Sequence, residues 1–399
     1  MTATGHQVRS YPFGPPEGLD VNPGDARLLD EPLARVEMPY GGAAWLVTRY
    51  EDVKLVLADP RFSRAETVGR DVPRVMPAIS PDPTILGMDP PEHSRLRKLV
   101  AKAFTARHVE MLRPRVEQII DELLDDMVAG GAPADLSSAL TWPLPITVIC
   151  ELLGVPVEDR HRFRTWTDVI LSLAGDDLER IEDARVGLND YLAELIAKRR
   201  AEPTEDLLGQ LVIARDEGDR LSEGELVTFG VTLLVAGHET TANQTGNFVY
   251  LLLTRRELWE QLVADPDLVP AAVEELSRFV PLGSSAAQSR IATDDVQVGD
   301  QLVRKGESVI VHFAMANRDT SVFERPDEID FARENNPHIA FGHGVHHCLG
   351  APLARLELQL AIGTLVRRLP GLRLAVPADD VAWRADRLVR GVRALPVAW

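Results

Sequence analysis

The chain has 399 residues, of which 45% are hydrophobic and 26% are charged. These proportions are typical of an ordinary globular protein, and they exclude a disordered chain, a collagen-like repeat and a secreted cystine scaffold. The formal charge is −18, from 43 basic and 61 acidic residues. So acidic a surface repels phosphate backbones and the anionic face of a bilayer, and we expect neither a nucleic-acid nor a membrane partner.

The chain has two cysteines, Cys150 and Cys348, a number typical of a reducing compartment. The first twenty residues have no apolar core of a signal peptide. The longest apolar run near the middle, residues 229–237, is far shorter than the twenty or so residues of a membrane span. We therefore expect a cytoplasmic protein. Cys150 lies on an apolar helix, where a buried inert thiol is expected.

The predicted elements are mostly helices. A proline-rich N-terminal segment, about residues 1–42, predicts an extended wrap, followed by a strand over 43–48 and a helix over 49–59. The proline density between 62 and 91 predicts a long irregular loop, which is usually a lid or a binding loop. Apolar residues at helical spacing then predict helices over 109–127, 142–153, 178–200, 221–254 and 268–280.

The period of the pattern changes after Pro281. Short strands over 288–299 and 301–312, an irregular meander over 317–340 and a final helix over 349–369 are predicted there. The composition shows no break that would mark a linker. We therefore predict a mainly α fold with a minor β region, organised as a single domain over residues 1–399.

The densest group of reactive side chains lies in the cysteine loop, residues 341–350. Its three histidines and one cysteine could form a zinc site, but His346, His347 and Cys348 are consecutive, and structural zinc ligands come as two separated pairs. The alternative is a lone thiolate at Cys348. The start of a helix stabilises an anion and lowers the pKa of a thiol. Such a thiolate is the ligand that a haem iron uses in O–O bond cleavage.

The spacing Phe341-x-x-Gly344-x-His346-x-Cys348-x-Gly350 resembles the haem-thiolate signature of the cytochrome P-450 family. Three more segments resemble family motifs, in the family's order: the His-x-x-x-Arg motif at 93–97, the oxygen-activation motif at 236–241 and the Glu-x-x-Arg motif at 275–278. The resemblance covers essentially the whole chain. It implies the cytochrome P-450 fold, a single haem-binding domain and haem b bound to the protein through Cys348.

The resemblance also implies which side chains bond the two haem propionates. They are His93, Arg97, Arg290 and His346, and each would otherwise be interpreted as a solvated cation. Arg290 comes after the first strand that follows the Glu-x-x-Arg helix. Charge-assisted bonds from such groups to a carboxylate are among the stronger hydrogen bonds. The remaining cofactor-binding positions of the signature are Phe341, Gly344 and Gly350.

In the long central helix, the resemblance assigns oxygen and proton handling to Ala236, Gly237, Glu239 and Thr240. Thr240 follows Ala236 by four residues, so its hydroxyl can bond that carbonyl. Glu239 is an acid that could relay protons. A glycine inside a helix costs about 1 kcal/mol relative to alanine. Gly237 therefore either makes room for haem and O2 or allows close packing of another element, and the resemblance favours the first explanation.

Glu275 and Arg278 are three residues apart, and in a helix they would form an ion pair worth about 0.2–0.5 kcal/mol. In the family, the corresponding pair is structural and is tied to an arginine of the meander. Arg318 and Arg333 are both candidates for that arginine.

The resemblance implies a monooxygenase that hydroxylates or epoxidises an organic substrate with O2 and two electrons. No nucleotide-binding motif is found, so a ferredoxin and its reductase would deliver the electrons. The basic segment 93–108 is either the docking surface for an acidic ferredoxin or a solvated basic helix. The motifs are similar to those of actinomycete enzymes that tailor macrolides and other polyketides in antibiotic biosynthesis.

The alternative function is that of a haem-thiolate ligand-binding protein, peroxygenase or isomerase that is independent of ferredoxin. We expect a monomer.

Overall fold

The computed structural model describes residues 8–13, 18–29, 31, 33–79, 84–173, 178–216, 221–283, 289–384 and 387–399. The chain divides into two compact units. The sheet unit comprises Met1–Ser94, Leu173–Asp176 and Glu274–Cys348, and the helical unit comprises Arg95–Ser172, Asp177–Val273 and Leu349–Trp399.

The fold is mainly α with a minor β region, as the sequence predicts. The helices are α1 (Pro23–Ala26), α2 (Tyr50–Ala58), α3 (Glu92–Val100), α4 (Ala106–Glu110), α5 (Arg113–Gly130), α6 (Pro143–Leu153), α7 (Arg160–Ile170), α8 (Leu178–Ala201), α9 (Leu207–Asp216), α10 (Glu223–Thr254), α11 (Arg256–Ala264), α12 (Val269–Phe279), α13 (Phe313–Ala316) and α14 (Ala351–Arg368). Within the described residues, no helix is both long enough and apolar enough to cross a bilayer.

The strands are short. They are β1 (Arg9–Ser10), β2 (Leu33–Glu37), β3 (Ala43–Val47), β4 (Phe62–Ser63), β5 (Ala134–Asp135), β6 (Arg290–Ala292), β7 (Val296–Val298), β8 (Gln301–Val303), β9 (Ser308–Val311), β10 (Arg373–Leu374) and β11 (Pro396–Ala398).

The sheet unit is built on six strands in the order β1-β2-β3-β9-β6-β4. Strand β3 pairs in parallel with β9, and β4 and β9 both pair antiparallel with β6. Side chains from these strands and from α2 form a common hydrophobic core that includes Trp45, Val53, Val309 and Phe323. The pairing brings the segment after β4 next to the start of β6.

The helical unit is organised around α10, which packs against α6, α8 and α14. The helix begins as the sequence predicts. The Ser222 hydroxyl accepts from the Glu225 amide at 3.1 Å, and the Glu225 carboxylate accepts from the Ser222 amide at 2.7 Å. This capping box satisfies two of the amide groups that a helix start leaves unpaired. The second half of α10 is almost fully buried, which places the residues after position 237 inside the unit.

Three of the differences between the structure and the sequence prediction lie in the sheet unit. Strand β2 lies within the predicted wrap of residues 1–42, so this segment is more regular than its prolines suggest; residues 1–7, 14–17, 30 and 32 lie outside the described residues. The predicted strands 288–299 and 301–312 are each divided into two by turns, and residue 288 is also outside the description. The loop 62–91 contains β4 and two short 3-10 turns, with residues 80–83 not described.

Candidate functional site

Residues 341–348 of the cysteine loop belong to the sheet unit. A 3-10 turn spans Gly344–His346, and the backbone amide of Cys348 donates to the Phe341 carbonyl at 2.8 Å. Helix α14 begins at Ala351, not at residue 349, so Cys348 lies in the loop before the first helical turn. The predicted start of this helix at residue 349 is therefore two residues too early. Cys348 is exposed.

Gly344 is required by the backbone of this loop. Its φ is +70°, a value that side chains disfavour, and a Cβ built there would lie 2.5 Å from the Leu57 carbonyl oxygen of α2. A larger residue would push the loop away from the helix. The glycine of the signature thus holds the cysteine loop against α2.

Two of the predicted propionate ligands lie together in the sheet unit. The imidazole rings of His93 and His346 have their centroids 4.3 Å apart, and His93 is only 2% exposed. Arg97 is the third of the set, and it belongs to the helical unit.

Arg290 is the fourth, and it is the first residue of β6 rather than a residue after a strand. It is 2% exposed, and no hydrogen-bond acceptor for Nη1 or Nη2 is found among the described residues. Burial, followed by the charge of Arg64, lowers the pKa of Arg290 to about 9, while Asp89 opposes the shift. A buried guanidinium is stable only with an anionic partner. This orphaned group therefore fits the carboxylate of a haem propionate.

In the helical unit, the Thr240 hydroxyl donates to the Ala236 carbonyl at 2.9 Å, as the spacing predicts. A carbonyl that accepts this bond shares its lone pairs between the helix and the side chain, which loosens the helix locally.

Glu239 precedes Thr240 and is fully buried. Neither carboxylate oxygen has a hydrogen-bond partner within the described part of the chain. Burial and the charge of Asp168 raise the pKa of Glu239 to about 7, against the opposing effect of Arg384 and Arg387. The acid therefore exchanges a proton readily near neutral pH.

The sequence analysis missed the groups around Glu239. Asp168 on α7 accepts from Arg384 Nη1 at 3.0 Å, and Arg384 also lies over the Trp142 ring at 4.6 Å. The buried His238 donates from Nδ1 to the Leu234 carbonyl at 2.7 Å. The only signal in the sequence is a run of arginines after residue 383, which stands out in so acidic a chain.

Gly237 has a packing explanation. A Cβ at this position would meet the Ile149 side chain of α6 at 2.8 Å. The close approach of α6 to α10 therefore supports the packing alternative, and a role of Gly237 in making room for O2 stays a prediction.

The Glu-x-x-Arg pair is buried, so it is not the ordinary surface pair that the spacing alone indicates. Arg278 donates to Glu275 at 2.8 and 2.9 Å, and both residues are 1% exposed. Arg333 Nε reaches Glu275 at 3.1 Å, whereas Arg318 pairs with Asp327. Arg333 is thus the meander arginine. Arg278 also donates to the backbone carbonyls of Asn317, Pro326 and Glu328.

Comparison with known proteins shows which family the chain resembles over its length. The family model of Cytochrome P450 matches residues 146–371. Nocardicin C N-oxygenase of Nocardia uniformis subsp. tsuyamanensis is 55% identical over 100% of both chains. Mycinamicin IV hydroxylase/epoxidase of Micromonospora griseorubida is 50% identical over 99% of this chain and 100% of its own. The crystal structure of the LnmA cytochrome P450 hydroxylase from the leinamycin pathway of Streptomyces atroolivaceus S-140 superposes with a TM-score of 0.91, at 53% identity, over 98% of this chain and 100% of that chain.

The chain belongs to the cytochrome P450 family. It is an oxidoreductase of the monooxygenase type, and its family implies a haem cofactor and a small-molecule substrate. Family membership also favours the haem-thiolate interpretation of the cysteine loop over the zinc interpretation.

Proposed function

We propose that this enzyme binds haem b through Cys348 and hydroxylates or epoxidises a secondary metabolite of the macrolide or polyketide type. The names of its relatives support the substrate class. One acts on mycinamicin IV as a hydroxylase/epoxidase, and the PikC monooxygenase of Streptomyces venezuelae is 43% identical over 95% of this chain. When bound, a thiolate-ligated haem supplies the binding and reductive activation of O2.

The proton chemistry falls to Glu239 and Thr240. The observation that carries the proposal is the buried, unpartnered Glu239 carboxyl, with a pKa of about 7, directly before a threonine whose hydroxyl bonds the Ala236 carbonyl. A group with this pKa both takes up and releases protons at neutral pH. Glu239 would hold a proton for the reaction, and the Thr240 hydroxyl would direct that proton toward the O2 substrate.

The remaining signature residues would hold the cofactor. His93, Arg97, Arg290 and His346 would bond the propionates. Ala236 and Gly237 would shape the oxygen side of the site, and Phe341, Gly344 and Gly350 would set the path of the cysteine loop. The enzyme would act as one haem-binding domain over residues 1–399, as a cytoplasmic monomer.

A ferredoxin would deliver the electrons from its reductase. Residues 93–108 contain five Lys or Arg and no acid in a chain of charge −18. Arg95 is paired with Glu225, but Lys98 and Lys102 are exposed. An acidic partner would be steered to this basic segment by long-range attraction.

A second candidate function is the oxygenation of a nitrogen atom. It is favoured by the full-length identity to an enzyme named as an N-oxygenase. Both functions need the same cofactor and proton groups, and they differ in the substrate.

The two are separated by a panel that contains mycinamicin IV, nocardicin C and related metabolites. Binding would be scored by the optical shift of the haem, and turnover would be followed with ferredoxin, its reductase and NADPH. We expect oxygenated product from a macrolide-type compound. Product from nocardicin C alone would favour nitrogen oxygenation. Full turnover with peroxide but none with ferredoxin would establish the peroxygenase alternative instead.

A further inference from the structure

Two buried arginines lie close together in the sheet unit. Strands β4 and β6 pair antiparallel, with Phe62 opposite Ala292 and Ser63 opposite Ile291. Arg64 follows β4 directly and Arg290 is the first residue of β6, so the pairing brings the two residues side by side, although the backbone of Arg64 already turns away from the strand with φ −87° and ψ −36°. Two like charges this close repel each other. The sequence motifs assign a role to Arg290 and none to Arg64.

The surroundings of both arginines disfavour their charged forms. Burial lowers the pKa of Arg64 to about 10, and burial together with the charge of Arg64 lowers that of Arg290 to about 9. Asp89 is the acidic group that acts on both, and it opposes both shifts. The Nη1 and Nη2 atoms of Arg290 find no acceptor among the described residues.

Asp89 is already engaged by the turn that carries Arg64. Its carboxylate accepts from the Ser63 hydroxyl, from the Arg64 amide at 2.9 Å and from the Ala65 amide at 3.4 Å. These bonds fix the backbone from residue 63 to 65 at the end of β4. The position of Arg64 beside Arg290 is therefore set by the fold.

We propose that Arg64 is a further haem-binding residue that shares with Arg290 the carboxylate of one propionate. This inference rests on the proposed function, since it requires haem in this protein. One carboxylate would place a negative charge beside both arginines and would supply the acceptor that Arg290 lacks. A neutral substrate group would supply only the acceptor, and a metal cation would supply neither the negative charge nor the acceptor.

The test measures how fast each of two cofactors is released from the Arg64→Met variant and from a control variant. The cofactors are iron protoporphyrin IX and its dimethyl ester, which has no propionate charge. The control is Arg61→Met, three residues before Arg64, which removes an exposed arginine that is paired with Asp59. Release is measured as the rate of transfer to an excess of a haem-scavenging protein, and thermal unfolding of each loaded variant checks the fold.

A hydrogen bond to a charged group predicts that Arg64→Met releases iron protoporphyrin IX about tenfold faster or more than wild type. The ester should leave wild type and Arg64→Met at the same rate, and Arg61→Met should match wild type with both cofactors. Arg64→Lys should recover part of the loss, because it restores the charge without the guanidinium geometry. Equal acceleration with both cofactors, or none with either, would overturn the proposal.

The spectrum of the reduced CO complex keeps this test separate from the proposed function. Arg64→Met should retain the thiolate-ligated spectrum of the wild type, since Cys348 is untouched. A wild-type protein that shows no such spectrum would refute the proposed function itself, whatever the release rates are.

Discussion

Two buried glutamates, one in each unit, have opposite surroundings. Glu275 of the sheet unit and Glu239 of the helical unit are 1% and 0% exposed. Glu275 accepts from Arg278, Arg333 and Asn336. Glu239 has no hydrogen-bond partner for either carboxylate oxygen in the described residues.

The difference separates a structural acid from a chemical one. A carboxylate that accepts from several guanidinium donors has its hydrogen-bonding capacity satisfied and stabilises the fold as part of its network. A buried carboxylate without donors is held close to its neutral form, which costs stability but poises the group for proton transfer. Burial alone does not distinguish the two; the hydrogen-bond partners do.

The largest expected effect comes from breaking the satisfied network. Arg278→Ala would leave Glu275 buried without its main partner, and we expect a loss of about 3–5 kcal/mol in the free energy of unfolding. Denaturant unfolding of the haem-loaded protein measures it. Arg304→Ala is the control, because it breaks only an exposed pair with Asp295, where solvent screens the two charges and little stability should be lost. If both variants lose the same small amount, the network is not structural.

Glu239→Gln tests the other acid through pH. Because the folded protein raises the pKa of Glu239 from 4.5 to about 7, it binds this proton more tightly than the unfolded chain does. The contribution of this group to stability therefore falls as the pH rises from about 4.5 to 7 and is level above that range. Gln does not titrate, so Glu239→Gln should not lose stability over this pH range. At pH 8 the variant should therefore be more stable than wild type by about 1–3 kcal/mol, and at pH 4 the two should be nearly equal in stability.

Glu357→Gln extends that comparison to an acid outside the site. Burial raises the pKa of Glu357 on α14 to about 8. The contribution of Glu357 to stability should therefore fall over a wider range, from about pH 4.5 to 8. Glu357→Gln should remove this pH-dependent loss of stability. Unfolding curves at a series of pH values follow both. An unchanged pH slope in Glu239→Gln would show that the acid is solvated or paired.

Thr240→Ala sharpens the chemical half of the comparison. The variant should bind haem and substrate but lose control of the proton, so that the product formed per NADPH falls about tenfold or more and peroxide is released instead. Thr254→Ala is the matched control, because its hydroxyl makes the same bond to the carbonyl four residues earlier, at 2.9 Å, near the end of α10. Fully coupled turnover by Thr240→Ala would refute the role of this hydroxyl.

The smallest effect concerns the surface. Charge reversal at Lys98 and Lys102 should slow electron delivery from ferredoxin several-fold at low salt and much less at high salt, because only long-range attraction is lost. Substrate affinity and peroxide-supported oxidation should not change. The reaction is followed by stopped-flow reduction at a series of ionic strengths. Turnover that ignores both salt and the reversals would leave the basic segment as a solvated surface.

Much of the helical framework could be predicted from the sequence, because it depends on local signals. The capping box at Ser222 marks the start of α10, and Gly154 marks the end of α6. The strands predicted after Pro281 are too long, because the lengths of β6 and β9 depend on pairing with the distant strands β4 and β3, and β7 and β8 form a separate two-stranded pair. Helix α11 follows α10 after a single residue, Arg255, and has no glycine or proline to announce it.

The site divides in the same way. The motif residues could be recognised because their spacing is local, and the bond from Thr240 to Ala236 follows from a separation of four residues. Whether a charged residue has ion-pair or hydrogen-bond partners depends on the tertiary structure, which local spacing does not reveal. The pair of Asp168 and Arg384 joins residues 216 positions apart, and no pattern in the sequence indicates it. The same is true of Arg64 and Arg290.

The central claim is that Cys348 is the thiolate ligand of a haem, and the reduced CO complex tests it most directly. Wild type should show the strongly red-shifted Soret band of a thiolate-ligated haem, because the sulfur donates electron density to the iron. Cys150→Ser should keep the band, since burial raises the pKa of Cys150 to about 12 and makes it an inert thiol. Cys348→Ser should lose the band. A Cys348→Ser protein that retains it would contradict the account.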